Sequence, residues 1–330
     1  MTAEAAVPAT PSSMPTRPIP RRKGHWFWGC LMEMIQDRSG FLVEKHEEHG
    51  DIFVSRALVR DLMFVRDPAV VYGINVTHWA DFYKPDHIKE MWKQFLGNGL
   101  VPNDGESWKR QHKLILPGFH KKRVDAYAPT MVAFTERMLD RWQEGEQRDM
   151  RLELNALALE VVASTLFDID IGKEDSTTIR NAIGDVSEIL VKDADNMIPR
   201  PDWWPSPSNI RKKRAIAKIE DIIRRVHQER LTNQKDRGDL FSHMVFVEDE
   251  QGRMSDKQLR DETMTLIFAG HETTAHALVW TWYLLAKNPE KVAALREELD
   301  QVVGDRRIEV DDLPKLVYLE MVVKESLRLM

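Results

Sequence analysis

Met264-Thr-Leu-Ile-Phe-Ala-Gly-His-Glu-Thr-Thr-Ala-His-Ala-Leu-Val-Trp-Thr-Trp-Tyr-Leu-Leu-Ala286 is a long apolar run with an acid near its centre, and its reading decides the fold. Upstream, Ser255-Asp-Lys-Gln258 has the form of a capping box that opens a helix, and downstream Asn288-Pro289 closes it. At about 1.5 Å per residue such a helix extends on the order of 50 Å, enough to traverse a globular domain. Because it is apolar on nearly all faces, Met264 to Ala286 is expected to be buried on all sides. Glu272 argues against a membrane span, since an unpaired carboxylate is expensive in lipid.

Working outward, helical spacing of apolar residues recurs in 121–143, 152–167, 174–192, 209–234 and 290–303, for example at Val292, Leu295, Leu299 and Val303. The runs Asp51–Arg56 and Asp61–Val65 are β-prone and suggest a hairpin. The expected fold class is mainly α with a small β-sheet. Residues 1–24 are expected to be a disordered, proline-rich tail, and 25–330 a single domain. The longest uncharged apolar stretch near the N-terminus, Trp26 to Met32, is far short of the roughly 20 residues a membrane helix needs, so no transmembrane anchor is expected.

The 330 residues carry 47 basic and 53 acidic side chains, a net charge of −6, which is not the profile of a nucleic-acid binder. Hydrophobic residues at 42% and charged residues at 30% are the balance of a chain that can bury a large core. The single cysteine, Cys30, excludes an internal disulfide and a four-cysteine zinc site, and points to a reducing, cytoplasmic setting.

Ala269-Gly270-His271-Glu272-Thr273-Thr274 places a helix-weakening glycine, an acid and two hydroxyls in a core helix. Local rules broken together in this way tend to mark function. Ala269 and Thr273 lie four apart, so they share a face with room for a small ligand, and Gly270 lets a bulky or flat group approach the backbone. The bland alternative is helix packing, with the threonines bonded to carbonyls one turn back. His271 and His276 are five apart, about 140° around the axis, so they do not form the zinc pair of His-Glu-x-x-His, and no metal ligand is assigned.

Three segments agree in order and spacing: Trp108-Lys-Arg-Gln-His112, Ala269-Gly-His-Glu-Thr-Thr274 and Lys324-Glu-Ser-Leu-Arg328. Together they resemble the cytochrome P-450 haem-thiolate monooxygenases. Gly50-Asp-Ile-Phe53, Asn288-Pro-Glu290 and Leu313-Pro-Lys-Leu-Val-Tyr-Leu-Glu320 extend the similarity from about residue 26 to the end. The resemblance implies a P-450-like fold, incomplete at its C-terminus. It implies that Thr273 binds dioxygen and gives it a proton, that Glu272 relays protons, and that Ala269 and Gly270 border the oxygen pocket. Trp108 and His112 would hold a haem propionate, although the family more often has arginine where His112 stands, and histidine is only partly charged at neutral pH. Glu325 and Arg328 would be structural, locking the haem-side core.

The family's axial ligand is a cysteine thiolate beyond the Glu-x-x-Arg helix, a region absent from this sequence. Cys30, before the first strand, is expected to be a small apolar packing residue instead. The chain is therefore expected to be the N-terminal part of a longer enzyme and inactive as it stands. The implied cofactors are haem iron and dioxygen, with electrons ultimately from NAD(P)H through a separate ferredoxin or flavoprotein reductase. Lys109, Arg110, Lys113, Lys121, Lys122 and Arg123 offer a basic docking face for that partner. Phe82, Tyr83, Met91, Trp92 and Phe95 could help to line a pocket for a small hydrophobic substrate. The rival reading is a non-catalytic helical protein that binds a hydrophobic ligand.

Overall fold

A computed structural model of the protein describes residues 18–167, 177–179, 181–186, 188–189, 204–233 and 236–330. The chain divides into two compact units, one ending at Tyr83 and one running from Lys84 to Met330.

The first unit is built around the expected hairpin. β1 (Arg21–Arg22) lies parallel to β2 (Ile52–Ala57), which pairs antiparallel with β3 (Arg60–Val65), with Phe53 opposite Phe64. Their rings stack at 4.9 Å, and Phe41 from α2 (Arg38–His49) meets Phe64 edge-on at 5.6 Å, closing a small aromatic core. The expected tail, 1–24, falls mostly outside the described residues, and its end supplies β1. Cys30, which precedes α1 (Leu31–Gln36), is fully buried with its sulfur 3.7 Å from that of Met34.

The second unit is helical. In chain order it contains α3 (Asp86–Leu96), α4 (Gly105–Ile115), α5 (Ala128–Leu139), α6 (Met150–Phe167), α7 (Pro207–Asn233) and α8 (Leu240–Phe246). A two-stranded ribbon, β4 (Glu248–Asp249) and β5 (Gly252–Arg253), precedes α9 (Asp256–Lys287), α10 (Pro289–Val302) and α11 (Val317–Leu329). The described residues of the expected 174–192 segment are helical, and Ile179, Ala182, Ile183, Val186 and Ile189 form its buried face.

The 32-residue α9 begins as its capping signal indicates, with Ser255 Oγ accepting the Gln258 N–H at 3.2 Å. Met264 and Ile267 enter a core that includes Phe95, Leu159, Ile219 and Phe241, and Phe268 meets the rings of Trp92 and Phe95 at 5.4 Å each. Trp92 and Phe95 thus serve the core of this unit, whereas Phe82 and Tyr83 are exposed in the other. Burial on all sides does not extend to Ala286. Past Ala275, Leu278 and Val279 pack on Met138, Leu154 and Leu157, but Trp280, Trp282 and Tyr283 are 42–52% exposed. Among the described residues, neighbours cover this half of the helix on one side only.

The first turns of α9 hold the loop that enters α4. Asp261 Oδ2 accepts the Asn98 N–H and Glu262 Oε2 the Leu100 N–H, both at 2.9 Å. Arg260 and Lys257 pair with Asp261 at 2.9 and 2.7 Å, and Arg260 also donates to the Phe95 carbonyl. The loop lies flat on the helix because it lacks side chains there. Gly97 has φ +58°, and a Cβ on Gly99 would meet the Asp261 carbonyl oxygen at 2.6 Å. Glu262 is fully buried, its Oε1 has no hydrogen-bond partner among the described residues, and burial pushes its pKa up to about 7. The Leu100 N–H opposes that rise and the Asp261 charge adds to it.

Gly270 is the close approach between α9 and α6: a Cβ there would lie 2.9 Å from Cγ2 of Val162, a β-branched side chain with little freedom to turn. Gly270→Ala should therefore fail to gain the roughly 1 kcal/mol that alanine brings to a helix and should lower the urea midpoint, while Val162→Ala in the same chain restores it. A stabilised single variant would contradict this packing. For Glu262 the native state keeps a proton that the unfolded chain has lost between about pH 4.5 and 7, so stability falls as pH rises through that window. Relative to Glu262→Gln, wild type should lose on the order of 2–3 kcal/mol of unfolding free energy between pH 5 and 8. Parallel pH profiles would show that the carboxyl is not held neutral.

Candidate functional site

Ala269 and Thr273 share an exposed face of α9, as their spacing requires, and His276 and Trp280 continue the stripe. Thr273 Oγ1 donates to the Ala269 carbonyl at 2.6 Å, the local bond of the packing alternative, yet its side chain stands at the surface and not in the core. The bond uses the hydroxyl proton and leaves the oxygen lone pairs facing outward as acceptors. Glu272 is partly exposed beside it. Gly270 is part-exposed, and its missing Cβ makes room for Val162 of α6. His271 is buried and His276 exposed, which separates the two rings.

On α4, Trp108 and His112 also share a face, with rings stacked 4.9 Å apart at an interplanar angle of 21°. The pair is half-buried and sets an indole and an imidazole side by side. The link from this helix toward α9 runs through the loop 97–103. Gln111, buried next to His112, donates to the Asn98 carbonyl at 2.9 Å and accepts from Asn103 Nδ2 at 2.7 Å.

Glu325 and Arg328 form a two-pronged pair at 2.6 and 2.7 Å, in which the guanidinium holds the Glu325 carboxyl below its usual range. Both are exposed, and among the described residues the pair braces α11. What ties α11 to α9 is a hydrogen bond at 3.0 Å from Thr281 to the buried Ser326. The basic face is also changed by its partners. Arg110 grips Asp249 at 2.8 and 2.9 Å and the Gly252 carbonyl, fastening α4 to the β4–β5 ribbon. Lys109 and Lys121 pair with Glu106 and Asp125 at 2.6 Å and, like Lys113 and Lys122, are exposed.

The motifs did not reveal Asp261 and Glu262. The available signal was two adjacent carboxylates about three turns before Glu272, in a helix whose neighbours are apolar, together with the Gly97-Asn-Gly99 step ahead of Trp108.

No helix among the described residues is long and apolar enough to cross a membrane. Cyclooctatin synthase of Streptomyces melanosporofaciens is 34% identical over 285 residues, covering 85% of this chain and 62% of its own length. Cyclooctat-9-en-7-ol 5-monooxygenase of the same organism is 32% identical over 72% of this chain and 52% of its own. The chloroplastic protein LUTEIN DEFICIENT 5 of Arabidopsis thaliana is 30% identical over 94% of this chain and 55% of its own. The chain thus spans little more than half the length of these relatives. Retinoic acid bound cyanobacterial CYP120A1 has a similar fold, with a TM-score of 0.78 at 21% identity over 95% of this chain and 70% of that one. The sequence profile of the cytochrome P450 family matches residues 18–330, and the chain belongs to that family.

Proposed function

We propose that this chain supplies the oxygen-side helix and a carboxylate-binding helix of a haem-dependent monooxygenase that inserts one atom of dioxygen into a hydrophobic substrate. The observation that carries this reading is the open stripe of α9, where small side chains at Ala269 and Thr273 face outward from a helix buried through most of its first half. A flat macrocycle fits such a face, and the Trp108–His112 pair suits its carboxylate substituents. When bound, haem would supply the redox chemistry that activates dioxygen.

The chain's own residues have defined tasks in this account. Thr273 donates its hydroxyl proton to the Ala269 carbonyl, so its oxygen is set to accept a hydrogen bond from a protonated group on the open side and hold that proton in place. Glu272, partly exposed beside it, brings protons from solvent. Trp108 and His112 orient the propionates. The axial thiolate is assigned to polypeptide outside the present sequence, because Cys30 is fully buried against Met34 and the relatives are longer. Electrons come from a separate ferredoxin or flavoprotein reductase fed by NAD(P)H, with Lys109, Lys113, Lys121 and Lys122 as exposed cations for docking. Relatives carry the names cyclooctatin synthase, cyclooctat-9-en-7-ol 5-monooxygenase and, in Streptomyces avermitilis, pentalenene oxygenase, and these names favour a small hydrophobic substrate here.

In a polypeptide extended to the length of its relatives, haem titration should give a thiolate-type carbon monoxide spectrum that the present chain alone does not give. In that protein Thr273→Ala should lower product formation at least about tenfold while electrons continue to be consumed as peroxide. Unchanged coupling would remove Thr273 from proton delivery. Absence of haem uptake by either chain would favour a helical binding protein for a hydrophobic ligand.

A further inference from the structure

Asp261 and Glu262 lie outside the oxygen-site turn and outside the Trp108 helix, yet both spend a buried carboxylate oxygen on a backbone N–H of the segment between them. Burying two carboxyl groups in this way is costly. A shorter apolar side chain at either position would hold the helix in its core at lower cost, so what the acids add is a fixed attachment point for the loop.

The attachment is continuous. Asn98 and Leu100 are held by α9, the Asn98 carbonyl accepts from Gln111 of α4, and Asn103 bridges Gln111 and Ser107 at 2.7 and 2.9 Å. Gln111 is buried next to His112, and Ser107 adjoins Trp108. Two glycines keep the loop against the helix, because a Cβ at Gly97 or Gly99 would run into Asp261 or Thr265. At about 1.5 Å per residue, Asp261 and Thr273 are roughly 18 Å apart along one rigid helix. The clamp therefore refers the Trp108–His112 face and the Ala269–Thr273 stripe to the same rod. The geometry points to Asp261 and Glu262 as positioning residues that set Trp108 and His112, through the loop 97–103, against the open stripe of the long helix.

The role toward haem rests on the reading given under Proposed function, whereas the clamp does not. Amide hydrogen exchange on the haem-free chain tests the clamp. Asp261→Ala and Glu262→Ala should speed exchange about tenfold at Asn98 to Leu100 and in the first turn of α4 while leaving α6 unchanged. Glu262→Gln, whose amide oxygen still accepts the Leu100 N–H, should keep wild-type protection. Should the alanine variants fail to fold, Gln111→Leu cuts the same path at its other end, and should loosen α4 while Leu100 stays protected. Unchanged exchange at 98–112 would overturn the proposal.

In the haem-loaded full-length protein, Glu262→Ala should speed haem release by the same factor as Trp108→Phe, and the double variant should add nothing further. Additive effects, or faster loop exchange with wild-type haem release, would overturn the positioning role. Wild-type protein that takes up no haem would overturn the cofactor reading, and exchange would still decide the clamp.

Discussion

The larger unit depends on keeping one 32-residue helix packed although its apolar residues do not gather on one face. Such a helix needs neighbours on several sides. Its first half has them in the helices that contribute Phe95, Leu159, Ile219 and Phe241. It also carries acids where a purely apolar helix would carry none: Asp261 is held by the Asn98 N–H and two cations, and Glu262 by the Leu100 N–H of the same glycine-bearing loop. Cohesion and polarity thus meet in the same three turns. The helix that is best buried there is also the one that holds the loop before α4.

From Ala269 onward the balance changes. Small and polar residues occupy the side away from Val162, and the helix turns one face outward within a run whose composition alone calls for burial. Gly270 and Thr273 are three residues apart but do different things: the glycine lets α6 come close, and the threonine stays at the open side with its proton on the Ala269 carbonyl. Tight packing on one side fixes the helix rotation, which fixes where the other side points.

Much of the fold was legible in the residues. The hairpin at 52–65, the cap at Ser255, the stop at Asn288-Pro289 and the helical periods at 152–167, 209–233 and 290–302 follow from local spacing and capping chemistry, and the structure has them, whereas 121–143 is broken into Lys121–Asp125 and Ala128–Leu139. The stacking of Trp108 on His112 and the shared face of Ala269 and Thr273 follow from a separation of four on a helix. What spacing does not carry is which neighbour a face meets. Gly270 read equally as an opening or a helix contact, and its Cα faces Val162; Trp280 and Tyr283 read as core and are exposed; Arg110 read as a docking charge and is bound to Asp249. β1 was hidden because a two-residue strand has no period, and the clamp because its partners are some 160 residues apart and meet through backbone atoms that leave no trace in side-chain pattern.

The central claim is that the Ala269 side of the long helix is the face against which a haem lies. It is tested most directly by filling that face without disturbing the packed one. In the full-length protein Ala269→Trp should abolish haem uptake, read as loss of the Soret band on titration, with helix content and unfolding midpoint unchanged. Haem binding at wild-type affinity with a tryptophan in that position would contradict the account.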